Sequence, residues 1–269
     1  MKNIASIILA AGRGSRMKEF TGNKTLLPLI PVKSFYEGKR PFLVHILENL
    51  PEGPRAVILN YRKEEIITAT ESMNITYCEQ PKLNGTGGAL LAAGKFLESS
   101  ECEKVIITMG DVPFIKPETY RNMILHLSSN SMVVLGFAPK DKKQYGVLEI
   151  EGDCVKRIIE WKYWNAFPPD VQAKHQICNS GIYAAKIKDI SKYISVLAKK
   201  PQIVKKEIDS KLIEIEEFFL TDLIEFMAND GLKVGFVMCE HETEAMGVDD
   251  LQALKQAQEI YRRVTSNEQ

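Results

Sequence analysis

Ile7-Ile8-Leu9-Ala10-Ala11-Gly12-Arg13-Gly14-Ser15-Arg16-Met17, with Lys24 a few residues on, joins a buried-strand pattern to a small, basic loop. The β-branched run Ile4–Leu9 predicts a strand, and it ends abruptly in alanine and glycine. Gly12 and Gly14 remove the Cβ atoms that would hold phosphate oxygens away from backbone amides. Arg13, Arg16 and Lys24 supply positive charge. A strongly anionic ligand is expected there, a nucleoside triphosphate.

The chain has 269 residues, 45% hydrophobic and 26% charged, which suits a globular domain with a sizeable core. Its 35 basic and 35 acidic residues cancel, so charge gives no case for a nucleic-acid or membrane partner. Five cysteines (Cys78, Cys102, Cys154, Cys178 and Cys239) lack metal-like spacing and read as reduced thiols. No apolar segment reaches membrane-spanning length, and the N-terminus runs directly into a strand rather than a signal pattern. A cytoplasmic protein, monomeric or a small homo-oligomer, is expected.

Short β-branched runs alternate with helical patterns, which predicts an α/β fold with a mostly parallel sheet. Strands are expected at Ile4–Leu9, Arg55–Asn60, Ile75–Glu79, Lys104–Met109 and Ser131–Ala138. Helices are expected at Phe42–Leu50, Glu64–Ser72, Thr86–Leu97 and Pro117–Ser128. From Lys140 the pattern changes to a hairpin, Gln144–Ile150 and Cys154–Glu160, joined at Glu151-Gly152-Asp153. Trp161–Lys174 is rich in aromatics and proline and reads as a loop, either near a ligand or a packed surface flap. A strand at Gln176–Ala184, helices at Ile187–Ala198 and Leu220–Ala228, a cap at Gly231 and a strand at Leu232–Cys239 follow. An amphipathic helix over Asp249–Val264 closes the pattern. One domain is expected over 1–269, with a nucleotide-binding half (1–140), an acceptor half (141–248) and a C-terminal helix (249–269).

The loop is not a dinucleotide fingerprint, because the third glycine of that motif is Met17 and the second strand ends in Asn60-Tyr61-Arg62 without a ribose-binding acid. Asp111 follows Gly110 at the carboxyl end of an apolar strand, where a carboxylate suits a Mg²⁺ ligand or a helix cap. The position of Asp249 permits an N-cap of the last helix. Gln80 lies just past the third strand, and its amide can pair with uracil, thymine or, after rotation, cytosine. Glu160 and Lys162, two apart on an extended segment, would share one face, which by itself suits a surface ion pair.

Taken together, these motifs resemble sugar-1-phosphate nucleotidylyltransferases, and in particular the pyrophosphorylase domain of the bifunctional N-acetylglucosamine-1-phosphate uridylyltransferases. The likeness runs through Leu9–Met17 with Lys24, Gln80 with Gly85-Thr86-Gly87, Gly110-Asp111-Val112-Pro113, Tyr145-Gly146 and Glu160-Trp161-Lys162. It continues through Asn179-Ser180-Gly181, Phe218-Phe219-Leu220-Thr221-Asp222 and Gly247-Val248-Asp249. The resemblance implies the nucleotide-diphospho-sugar transferase fold, a Rossmann-like mixed sheet flanked by helices with a substrate-side hairpin lobe. It implies a nucleotide site at Leu9, Ala10, Ala11, Gly12, Gly14, Ser15, Arg16, Lys24, Gln80, Gly85, Thr86, Gly110 and Asp111. Gly85 and Gly87 would let the backbone approach the base. Arg16, Lys24 and Asp111 would be catalytic, with Mg²⁺ on Asp111 and Asp249. Gly146, Glu160, Lys162 and Asn179 would hold a sugar-1-phosphate, with Lys162 aimed at its phosphate.

Asp249 stands where the uridylyltransferases carry asparagine and the related thymidylyltransferases aspartate. UTP is the expected donor and N-acetylglucosamine-1-phosphate the expected acceptor; dTTP, CTP, glucose-1-phosphate or a non-sugar phosphate are alternatives. A non-catalytic sugar-nucleotide sensor is the alternative of another class. The Trp161–Pro169 stretch is longer than the family pattern, and no hexapeptide repeat of an acetyltransferase domain is present.

Overall fold

Alternating side chains give the first strand two buried faces. Ala5, Ile7 and Leu9 pack into one core cluster and Ile4 and Ile8 into another, all nearly inaccessible to solvent. This strand is the centre of a computed structural model that describes residues 4–14, 16–17, 20–208 and 211–267. In chain order the elements are β1 (Ile4–Leu9), β2 (Pro28–Ser34), β3 (Glu37–Pro41), α1 (Phe42–Asn49), β4 (Arg55–Leu59), α2 (Lys63–Ala69) and β5 (Thr76–Glu79). Next come α3 (Gly85–Ala92), α4 (Gly94–Glu98), β6 (Lys104–Met109), α5 (Pro117–His126), β7 (Met132–Phe137), β8 (Val147–Glu151) and β9 (Cys154–Ile159). They continue as α6 (Trp161–Trp164), α7 (Pro169–Gln172), β10 (Cys178–Lys186) and α8 (Ile187–Leu197). The last are β11 (Gln202–Ile208), β12 (Lys211–Glu217), α9 (Asp222–Asn229), β13 (Val234–Met238) and α10 (Leu251–Asn267).

The main sheet runs β13-β7-β10-β6-β1-β4-β5, with the β8–β9 hairpin attached to β10. Pairings β1–β4, β1–β6, β4–β5 and β7–β13 are parallel, while β10 runs antiparallel between β6 and β7. The mostly parallel mixed sheet flanked by helices is therefore the predicted one. From β1 the chain goes outward to β4 and β5, then returns to the other side of β1 as β6. This reversal opens a crevice at the carboxyl ends of β1 and β6, the place where such sheets bind ligands. The amide of Gly110 closes on the Leu9 carbonyl at 3.0 Å and fixes the floor of that crevice. Because β10 is antiparallel, its amino end, with Asn179, lies on the same rim.

Several expectations are corrected. Trp161–Lys174 is not a loop: α6 and α7 form there, and buried Trp164 donates from Nε1 to the Tyr145 carbonyl at 2.8 Å. The aromatic residues fold the stretch down as a packed flap. The helix expected over Thr86–Leu97 is two, α3 and α4, broken at Ala93. The hairpins β2–β3 and β11–β12 were not expected at all. A Cβ at Gly38 would lie 2.0 Å from the Ile30 carbonyl, so the β2–β3 hairpin requires glycine there. Gly231 does cap α9, with a φ of 80°. Among the described residues, no helix is long and apolar enough to cross a membrane.

The turn into α3 is clasped by the segment after β12. Phe218 donates its amide to the Asn84 carbonyl at 2.8 Å and accepts from the Gly87 amide at 2.8 Å. Gly85 has a φ of 91°, and a Cβ there would stand 2.4 Å from the Phe218 carbonyl. Gly85→Ala is therefore expected to cost about 1–3 kcal/mol, the usual penalty for forcing such a conformation on a residue with a Cβ. Urea unfolding monitored by circular dichroism measures it.

Candidate functional site

Leu9, Ala10, Ala11, Gly12, Gly14, Lys24, Gln80, Gly85, Thr86 and Asp111 line one cleft of about 310 Å³ at the sheet's switch point. Arg16 and Asn179 instead line an adjoining cleft of about 400 Å³, together with Asp249; Gly14, Lys24, Met109 and Asp111 are walls of both. Gly110 lies under this junction, where a Cβ would press on Thr25 Cγ2 at 2.8 Å. Ser15 lies outside the described residues.

Lys24 is the centre of the junction. Its ammonium donates to Asp111 Oδ2 at 2.5 Å and to Asp249 Oδ1 at 2.8 Å. Arg16 reaches the other oxygen of Asp249 at 3.1 Å. Burial lowers the Lys24 pKa, but the two carboxylates outweigh it and hold the amine above its ordinary value. Burial raises Asp249, and Lys24 and Arg16 more than reverse that, so it sits below its ordinary value. Backbone contacts hold the carboxylates in place. The Val248 amide donates to the Asp111 carbonyl at 2.9 Å, which ties the end of β6 to the approach to α10.

The capping alternatives for both aspartates fail. Asp250, not Asp249, accepts from the Ala253 amide at 2.8 Å in the first turn of α10. Helix α5 begins at Pro117 with Lys116 as its N-cap, well beyond Asp111.

Gln80 is buried, and its Nε2 donates to Asn84 Oδ1 at 3.0 Å and to the Gly85 carbonyl at 3.1 Å. Two acceptors around that nitrogen fix the amide's orientation. Rotation is not free, and Oε1 is left as the group available to a ligand. Gly85 and Gly87 allow close approach of the Phe218 backbone, and the Thr86 hydroxyl accepts from the Leu220 amide at 3.2 Å.

On the acceptor side the predicted residues separate. Asn179 spends its side chain on the bulge of β10, donating to Tyr183 Oη at 2.8 Å and accepting from the Gly181 amide at 3.0 Å. Gly146 accepts from the Asn179 amide at 2.8 Å. Glu160 and Lys162 face a third cavity of about 360 Å³, with Tyr163, Phe219, Thr221 and Asp222. They do not share one face of an extended segment, because β9 stops at Ile159 and Glu160 is the N-cap of α6. The Lys162 ammonium sits 4.7 Å from the Tyr163 ring centroid and 5.8 Å from that of Phe219, not at the Asp111–Asp249 pair. No ion pair joins it to Glu160 among the described residues.

Thr221, Asp222 and Gln202 went unassigned in the sequence. Thr221 donates to Glu160 Oε1 at 3.1 Å, and Gln202 Nε2 donates to both Asp222 oxygens at 2.8 Å. The Phe219–Asp222 motif signals the first two; nothing in the sequence singles out Gln202. Burial pushes the Glu160 carboxyl above its ordinary value, and Asp222 adds to this against Thr221 and Lys162. An acid raised in the folded state loses stability as pH climbs through its shifted pKa, and carries the full penalty at neutrality. Glu160→Gln should therefore melt higher than the wild type at neutral pH, and the margin should shrink as pH falls toward about 4, the ordinary Glu value. Thermal melts across that range measure it.

Residues 6–165 match the MobA-like NTP transferase domain. The bifunctional protein GlmU of Ruegeria pomeroyi is 29% identical over 263 residues, covering 96% of this chain and 52% of that protein. GlmU of Clostridium perfringens is 30% identical over 262 residues, covering 97% of this chain and 52% of that protein. The chain spans about half the length of these curated relatives. The uridine diphosphate N-acetylglucosamine pyrophosphorylase of Trypanosoma brucei superposes with a TM-score of 0.73 at 13% identity, over 95% of this chain and 64% of that one, a likeness of fold. With more than half its length matched and the crevice of such enzymes at its switch point, the chain belongs to the MobA-like NTP transferase domain family and is a nucleotidyltransferase.

Proposed function

We propose that the chain transfers UMP from UTP to a sugar-1-phosphate, with N-acetylglucosamine-1-phosphate the favoured acceptor, and releases pyrophosphate. One observation carries this reading: Asp111 and Asp249 converge on a single cation where the two clefts meet. Two carboxylates around one positive charge fit Mg²⁺, which takes one or two carboxylates and fills its remaining positions with water and phosphate oxygens. Among the described residues no group of three or more His, Cys, Asp or Glu could hold a metal by itself. Asp111 and Asp249 would hold Mg²⁺, which when bound supplies charge stabilisation to the phosphates.

The remaining chemistry belongs to the chain. Loop amides from Ala11 to Gly14 and the Arg16 guanidinium hold the triphosphate and stabilise the leaving pyrophosphate. Lys24 neutralises the nucleotide phosphates. An acceptor phosphate oxygen attacks the α-phosphorus as the α–β bridge breaks; that oxygen is already ionised, so no general base is required. Gln80 Oε1 accepts from the base, as suits the N3–H of uracil. The third cavity, with aromatic rings beside Glu160 and Thr221, offers a sugar a stacking face and hydroxyl partners. The five free thiols agree with a reducing cytoplasm.

Pyrophosphate release with Mg²⁺ across UTP, dTTP and CTP, each against sugar-1-phosphates and non-sugar phosphates, tests the reading. Turnover is expected to be highest with UTP and N-acetylglucosamine-1-phosphate, and lost in Asp111→Ala. No turnover anywhere on that grid would overturn it in favour of a sensor. Arg16→Ala and Lys24→Ala should each lower kcat by roughly 10²–10³, the loss typical of a missing charge-stabilising donor.

A further inference from the structure

Both cations assigned to the triphosphate are already engaged in the ligand-free chain. Lys24 bridges Asp111 and Asp249, and Arg16 holds the second oxygen of Asp249. Two positive and two negative groups form a neutral cluster. The Lys24 side chain is only 12% exposed, and its ammonium sits between the two carboxylates. Its stem is also held by the phosphate loop. A Cβ on Gly14 would stand 3.1 Å from Lys24 Cβ and 3.3 Å from Cδ, and Gly14 has a φ of 64°.

We propose that Lys24 is an internal stand-in for the metal: its ammonium keeps the Asp111–Asp249 pair closed to divalent cations until a triphosphate draws it away. This rests on the nucleotide and metal assignments above. Binding is then an ion exchange. Phosphate oxygens replace the carboxylates as partners of Lys24 and Arg16, and the carboxylates are left facing the metal that arrives with the nucleotide. A like charge a few ångströms from an incoming cation opposes it strongly at the dielectric of a half-buried site. The metal therefore binds with or after the nucleotide, and a lysine whose only role was to neutralise phosphate would not impose that order.

Mn²⁺ titrated into the nucleotide-free protein, followed by electron paramagnetic resonance, tests this. Lys24→Met, and Lys24→Gln as a variant that keeps a donor toward the carboxylates, should bind Mn²⁺ at least about tenfold more tightly than the wild type. Each variant should also gain thermal stability from Mn²⁺ without nucleotide, which the wild type should not. Equal Mn²⁺ affinity in the wild type and in whichever variant is folded by circular dichroism would overturn the stand-in, even if UTP then brings Mn²⁺ to the wild type. If Mn²⁺ binds no form of the protein, with UTP or without, the metal assignment itself falls and the stand-in with it.

Discussion

One ammonium shared between two carboxylates holds the two ends of this domain together. Lys24 enters from the loop after β1, Asp111 from the end of β6, and Asp249 from the approach to α10. Removing Lys24 leaves the Asp111 carboxylate without its cation, while Asp249 keeps Arg16. The crevice thus depends on an interaction that the proposed reaction must dismantle. In the proposed reaction a polyanion takes the place of these internal ions before turnover.

The sheet was legible because β-branched runs fully buried on both faces leave an unmistakable pattern, and β1 and β6 appear at the expected residues. The glycine-rich loop and Asp111 were legible for a related reason: they follow those strands directly, so strand prediction positions them. Asp249 was visible only through a resemblance. Its contact with Lys24 spans 225 residues of sequence, and no local pattern encodes such a meeting.

Other features were hidden by competing signals. Pro28 and Pro31 lie within β2 where it pairs with β3, and no alternating pattern marks that strand. The aromatic, proline-rich stretch after Glu160 was read by composition, but burial of Trp164 decides its shape and turns two short helices out of it. Gln80 shows a subtler limit. Its residue type allows donation and acceptance, and only its neighbours Asn84 and Gly85 reveal that both amide hydrogens are already engaged.

The clasp at Phe218 joins the first cleft to the third cavity through one stretch of backbone. Glu217 walls the first cleft, Phe218 locks the turn that carries Gly85, and Thr221 and Asp222 furnish the third cavity. One run of six residues, 217–222, thereby shapes both cavities. An acceptor pocket grafted from a relative could not be exchanged as a module, since the same backbone that shapes it also sets the entrance to α3. Under the proposed function, a change of acceptor is more simply made in the aromatic flap after Glu160, whose Tyr163 and Phe167 also line the third cavity.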